Sequence, residues 1–446
     1  VSFGVAHRTR RRFLAFTSLL VGLTLVASAC SSTEPPFVVT VTNTAGAGDS
    51  GSTPVVVPTV GNGQTDGGDP AASNSVEPTA IVGRDVKITS TPASGSTKLA
   101  PTTAVTVTVF NAEIKDLVLV SKTDGTELTG KVAADGATWT LGEKMEYGTT
   151  YNYRGTAVST DGVDTPIEGK ISTANPKNTM RASFQIRNGK TVGVAAPIVL
   201  TFAGQITDQA EVQKNLKVML NGKEFKGGSW AWLQDEDISG NGVLQSRVHF
   251  RPAKYWPANS KIKVTANLYG VDMGGAWGRE DISTDFNIGR KLVVKADVNS
   301  FRLVVMVDDA IVKDFPVSYG AQDADPERAT RNGVHIVQEK YESFDMCNPR
   351  FGYCDVKAPW AVRISNNGEF IHVNQNTERA GYLGKQNVSH GCINMGLADG
   401  KTFYDMTIYG DPVEITNSTG PQLGFSDGDI FDWGIPYSEW QNYSAL

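Results

Sequence analysis

The sequence predicts a mainly β chain: two β-sandwich modules, then a third β-rich unit ending in an aromatic extension. Three observations carry this. Short runs alternating between apolar and polar residues recur along the chain, turn-formers separate them every ten or so residues, and no long run of helical period interrupts the first two modules. At 446 residues the chain also exceeds what one ordinary core fills, so roughly three domains with connecting segments are expected.

The first segment, residues 1–30, reads as a signal peptide and not as part of the fold. Arg8, Arg10, Arg11 and Arg12 precede an apolar run from Phe13 to about Ala27, and small residues lead into Cys30. The run is short of the ~20 apolar residues that a spanning helix needs. Ala27-Ser28-Ala29-Cys30 resembles a bacterial lipobox, whose cysteine is lipidated after cleavage. A lipid on Cys30 would anchor an exported body at the outer face of the membrane; simple removal of the signal is the alternative. The stretch Thr9 to Phe16 also resembles a twin-arginine export signal, which leaves the export route open. Val1 reads as a non-AUG start.

Residues 31–78 read as a flexible linker. They are mostly Gly, Ser, Thr, Pro, Val and Ala, with no Lys or Arg between Arg12 and Arg84. Such a composition cannot bury enough apolar surface to fold. As a coil it has an average reach of roughly 35–40 Å. "GAGDSG" within it has the glycine spacing of a nucleotide loop but neither the preceding strand nor the following helix.

Residues 79–176 hold "TAVTVTVF", "KDLVLVSKT", "ATWTLG" and "YNYRGTAVS", with "TDGTELTG" and "AADG" between them. Residues 177–289 repeat the style in "PIVLTF", "LKVMLNG", "RVHFRPA" and "KIKVTANLYG". Both read as immunoglobulin-like β-sandwiches, modules that usually position or bind rather than react. "DEDISG", Asp235 to Gly240, opens like a calcium loop but has Ser246 where the closing glutamate belongs, so it reads as a solvated turn. His249 and His335 sit in alternating runs and read as ordinary strand residues.

Residues 290–418 open with "KLVVKA" and "FRLVVMVDDAIVKDFPVSYG", strands with Asp308-Asp309 at a hairpin tip. The extension, residues 419–446, contains "FDWGIPYSEW" and is expected to pack onto this third unit, since exposed Trp is costly. A net charge of −6 offers no basic surface for phosphates and argues against a nucleic-acid partner.

The chemistry concentrates at "SHGCINM", Ser389 to Met395, in a chain with four cysteines and five histidines. Export places the thiols in an oxidising compartment. With Cys30 set aside, Cys347 and Cys354 in "CNPRFGYC" are close enough to close a small disulfide loop, and Cys392 remains free. A thiol reacts as thiolate and needs a nearby base. The candidates are His390, two residues before it, and His372, on the alternating run "GEFIHV". Gly391 permits close approach, and the N–H groups of Gly391 and Cys392 could form an oxyanion hole. A zinc site would need a fourth ligand that the segment lacks. An inert buried thiol remains a second reading.

The pattern "H…SHGCIN" resembles the signature of the L,D-transpeptidase family with a YkuD-type catalytic domain, in particular its actinobacterial members with two immunoglobulin-like domains and an aromatic C-terminal extension. "YGVDMGGAWG", "NGVHIVQEKY" and "FDWGIPYSEW" extend the likeness over residues 79–446. The resemblance implies Cys392 as the acylated nucleophile, His372 as its base held by the Val373 carbonyl, and His390 and Gly391 as the rest of the catalytic signature. It further implies substrate contacts from Tyr353, Asn367, Gly368 and Asn394, with Met346 lining the pocket. The loop carrying Met346 and Tyr353 departs from the family pattern in its length and in its flanking Cys347 and Cys354. The implied reaction joins peptidoglycan stem peptides by 3→3 cross-links with release of D-Ala, without cofactor or metal, and the same thiol would take carbapenem β-lactams. An L,D-carboxypeptidase and a non-catalytic wall-binding lipoprotein are the alternatives. His preceding Cys argues against peptidases of the NlpC type.

Overall fold

The computed structural model describes residues 39–40, 85–428 and 430–446. The signal segment, Cys30 and all of the linker except Val39–Thr40 lie outside the described residues. Among the described residues no helix is long and apolar enough to cross a membrane.

In the first module, Lys87–Thr91, Thr106–Phe110, Thr138–Leu141 and Gly130–Val132 form one sheet, with Val39–Thr40 at its edge. Glu127–Leu128, Ala112–Ser121, Thr150–Ser159 and Asp164–Ser172 form the other. Period-two alternation fills the space between them: Val107 and Val109 point inward while the threonines beside them stay partly exposed. They meet Leu119, Trp139, Tyr151 and Ile171 in one core.

The second module pairs a sheet of Ala182–Phe184, Ile198–Phe202, Arg247–Pro252 and Gly228–Trp232 with one built on Ile282–Ile288, Lys261–Ala266 and Leu216–Leu220. Its core is aromatic, with Phe250 5.1 Å from Trp230 and 6.0 Å from Trp256 between ring centres. One short helix, Gln209–Lys214, departs from the all-β expectation; the Asp208 carboxylate caps it by accepting the Glu211 N–H. Tyr147 of the first module donates its hydroxyl to the Gly278 carbonyl at 2.7 Å, joining the two modules.

The third unit packs two sheets over a core that includes Val294, Leu303, Val305, Ile371, Ile393 and Met395. A five-stranded sheet runs in the order Ala310–Pro316, Arg302–Val307, Leu292–Asp297, Pro412–Thr416, Gly333–Ile336. The expected tight turn is present, with Asp308 and Asp309 both at positive φ, +48° and +68°. The four-stranded sheet, Glu339–Asn348, Tyr353–Arg363, Phe370–Val373 and Ile393–Met395, carries the site. Leu397–Met406 adds a helix that the sequence reading did not anticipate.

The extension corrects one expectation. Its first part lies on the third unit, where Asn332 and Pro421, and Leu423 and Asn332, exchange backbone hydrogen bonds at 3.0 Å. Its aromatic part is shared: Ile430 and Trp433 cluster with Ile336 of the third unit, while the rest lies against the second module. Phe431, Ile435 and Trp440 bury with Ala231, and the Trp440 and Trp433 indoles donate to the carbonyls of Ser229 and Ala195. The buried Arg251 guanidinium explains the preference. It sits 4.7 Å from the Trp433 ring and 5.0 Å from that of Trp440, and donates to the Ile435 carbonyl. His249 is likewise more than a strand residue: its Nδ1 meets the buried Asp432 carboxylate at 3.1 Å.

Candidate active site

The site begins with strand alternation. Phe370–Val373 and Ile393–Met395 run parallel, with Ile371 opposite Ile393 and His372 opposite Asn394. Ile371, Ile393 and Met395 turn to the core, so His372, Cys392 and Asn394 share the opposite face. Met346, Ala358, Ala361 and Phe370 pack around Cys392 on that face. Gly391 precedes the thiol at φ +115°, a backbone conformation that side chains rarely adopt. Its carbonyl accepts the Thr330 hydroxyl at 2.8 Å, which pins the turn from the neighbouring loop.

Two cavities meet at Cys392. One, of about 290 Å³, is lined by Met346, Tyr353, His372, His390, Cys392 and Asn394 among others. The other, of about 400 Å³, is more polar and takes Arg331, Arg350, Tyr353, Asn367, Gly368, Glu369, His390, Gly391 and Cys392. Cys392, His372, His390, Gly391, Tyr353, Asn367, Gly368, Asn394 and Met346 therefore each line one or both cavities. Tyr353 and His390 belong to both, their rings 5.3 Å apart between centres. Phe351 stands against the other side of the contact, 4.8 Å from His390.

His372 donates from Nδ1 to the Val373 carbonyl at 2.9 Å, which fixes the neutral tautomer with Nε2 as a bare acceptor. Burial pushes its pKa down to about 4, against the pull of that carbonyl. Burial pushes the Cys392 thiol up to about 12; the Glu369 charge adds to the rise, while the Phe370 N–H and Arg363 oppose it. The resting pair is therefore thiol and imidazole, so the nearby base expected from the sequence has to act during the reaction. Proton transfer has to accompany attack. His390, half-buried beside Arg328, is also pushed down, first by burial and then by that charge.

The oxyanion reading needs a further correction. The Gly391 N–H already donates to the Ser389 hydroxyl at 3.2 Å, and that hydroxyl donates on to the Cys392 carbonyl. Of the two N–H groups named from the sequence, only that of Cys392 is left for the role. Asn394 donates to the Thr377 hydroxyl at 3.2 Å, and its buried Oδ1 has no partner in the resting site. Cys347 and Cys354 form a disulfide across the hairpin that carries Met346 and Tyr353, and Cys392 is the free cysteine among the described residues.

Glu369 was missed. Its carboxylate is 4% exposed, accepts the Arg331 N–H at 2.6 Å and the Ser365 hydroxyl at 3.0 Å, and lies 3.9 Å from His335 Nδ1. The available signal was a lone acidic residue in the otherwise apolar start of "GEFIHV". His335, read as an ordinary strand residue, is in fact buried beside it.

Residues 96–272 match a bacterial Ig domain, in one stretch that spans both modules, and residues 291–415 match the L,D-transpeptidase catalytic domain. L,D-transpeptidase 2 of Mycobacterium tuberculosis (strain CDC 1551 / Oshkosh) is 29% identical over 368 residues, 80% of this chain and 85% of its own. The solved structure of LdtMt1 in complex with imipenem covers 54% of this chain and all of its own, at 24% identity and a TM-score of 0.43. L,D-transpeptidase 5 of Mycobacterium tuberculosis (strain ATCC 25618 / H37Rv) is 42% identical over 361 residues, 81% of this chain and 77% of its own. On that shared length and identity, the chain belongs to the L,D-transpeptidase family.

Proposed function

We propose that the protein is an exported enzyme, held at the outer face of the membrane by a lipid on Cys30, that forms 3→3 cross-links between peptidoglycan stem peptides. Residues 79–176 and 177–289 serve as spacing or binding modules, 290–418 as the catalytic domain and 419–446 as its extension. The observation that carries the reading is the free Cys392 thiol at the junction of two cavities, one of which it shares with the His372 imidazole, whose Nδ1 is tied to the Val373 carbonyl.

In the first half-reaction Nε2 of His372 takes the thiol proton as sulfur attacks the carbonyl of the third stem residue. The Cys392 N–H faces the developing oxyanion. The bond to D-Ala breaks, His372 returns the proton to the leaving amine, and a thioester remains. In the second half-reaction an amine of a neighbouring stem attacks the thioester and the C–S bond breaks. Asn394 and Tyr353 contact the donor; Asn367 and Gly368 lie on the other side of the sulfur. A second cavity at the sulfur supports transfer over hydrolysis, because it gives an acceptor room beside the thioester. Carbapenems would acylate the same sulfur by opening their strained ring.

Intact-mass spectrometry tests the mechanism. Incubation with a tetrapeptide stem should add the mass of the stem less D-Ala, and a carbapenem its full mass; Cys392→Ala should add neither. An adduct that survives Cys392→Ala would sink the proposal.

A further inference from the structure

The two cavities differ in the proton acceptor that each supplies. His372 lines the first and not the second; Glu369 lines the second and not the first; Cys392 belongs to both. A stem's side-chain amine arrives as an ammonium and cannot attack a thioester until it loses a proton. We propose that Glu369 is the base that deprotonates the acceptor amine, so that one sulfur is served by His372 during acylation and by Glu369 during transfer. This rests on the transpeptidase reading above.

Three features of the site support the assignment. The carboxylate lies against the turn that carries the nucleophile: the Cβ position of Gly391 is 3.8 Å from Glu369 Oε1, ordinary contact distance. The carboxylate is also held in place from two sides, by the Arg331 N–H and the Ser365 hydroxyl, with capacity to accept further. Burial pushes its pKa up to about 7, where a carboxylate can both take and release a proton at neutral pH. The groups that face it are those two donors, the Arg331 guanidinium, His335, Asp427 and Cys392. Burial pushes His335 down to about 4, which keeps that imidazole neutral and leaves the proton to Glu369.

The step balances without a co-reactant. The ammonium gives one proton to Glu369, and its freed lone pair forms the new C–N bond to the thioester carbon. Collapse breaks the C–S bond; of the two protons left on nitrogen, one restores the Cys392 thiol through His372 and the other stays as the amide N–H, and Glu369 returns its proton to solvent.

The test separates the half-reactions by comparing wild type with Glu369→Gln, which keeps an acceptor for the Arg331 N–H. Acylation by tetrapeptide or carbapenem, read by intact mass, should persist at no less than the wild-type rate, because losing the Glu369 charge removes one of the influences that hold the thiol up. Transfer from the preformed thioester to an amine stem should fall by about 10²–10³, the thioester should accumulate, and the rise of the wild-type transfer rate through pH 7 should vanish. Hydroxylamine, already neutral at pH 7, should release the acyl group from both proteins equally. A variant that transfers to the amine at the wild-type rate and pH profile overturns the inference. So does one that loses acylation, transfer and hydroxylamine release together, because that is a structural role. A wild-type enzyme that never acylates would instead defeat the transpeptidase reading.

Discussion

A neutral thiol and a neutral imidazole in one cavity make a specific demand on the kinetics of Cys392. With the thiol pushed up to about 12, its alkylation by iodoacetamide should climb about tenfold per pH unit from 7 to 9 without a plateau. A plateau at an apparent pKa below 8.5 would contradict the neutral pair. Glu369 makes a separate demand on stability. Its folded pKa is raised from 4.5 to about 7, so the stability linked to it is full below 4.5 and is lost as pH rises through 7. Relative to wild type, Glu369→Gln should therefore gain up to about 3 kcal/mol above pH 7 in denaturant titrations, and nothing below pH 4.5. Cys392 and His372 were legible in the sequence because a scarce thiol and an alternating strand are local signals. Glu369 was not, since its character comes from burial by Arg331, Ser365 and His335, and they gather only in the fold.

The hairpin Glu339–Arg363 is the element that shapes access to the sulfur. Its disulfide closes a short loop, and its tip sets Phe351 and Tyr353 against His390 while Arg350 pairs with Glu327. Replacing both Cys347 and Cys354 by Ser should lower stability by about 2 kcal/mol through the freed unfolded chain. It should also move KM for the donor more than kcat, because the tip walls the cavity that receives the donor and supplies neither the nucleophile nor its base. Equal losses in both would place the hairpin in the chemistry itself. The disulfide could be read from seven-residue spacing in a turn-rich segment. Leu397–Met406 could not be read as a helix, since only Gly400 and Phe403 of its ten residues are buried and no apolar period marks it.

At the scale of the whole molecule, the aromatic tail decides how the units hold together. That it would pack was legible in its tryptophans; where it would pack was not, because Arg251 and Asp432 find partners 183–184 residues away. Trp440 is fully buried, and Trp440→Ala should destabilise the body by about 3–5 kcal/mol in thermal unfolding. An unchanged melting temperature would mean that the tail rests on the second module without holding it. The catalytic unit lies in the chain between the second module and the segment that returns to it. While that segment stays docked, residues 290–430 form a closed loop, and unfolding them releases less chain entropy than an open chain would. In the chain-entropy limit a closure of this length is worth on the order of 5 kcal/mol. Cutting the tail after Gly428 should thus speed unfolding of the catalytic unit beyond what the lost contacts account for, a cross-link made of indole and guanidinium in place of sulfur.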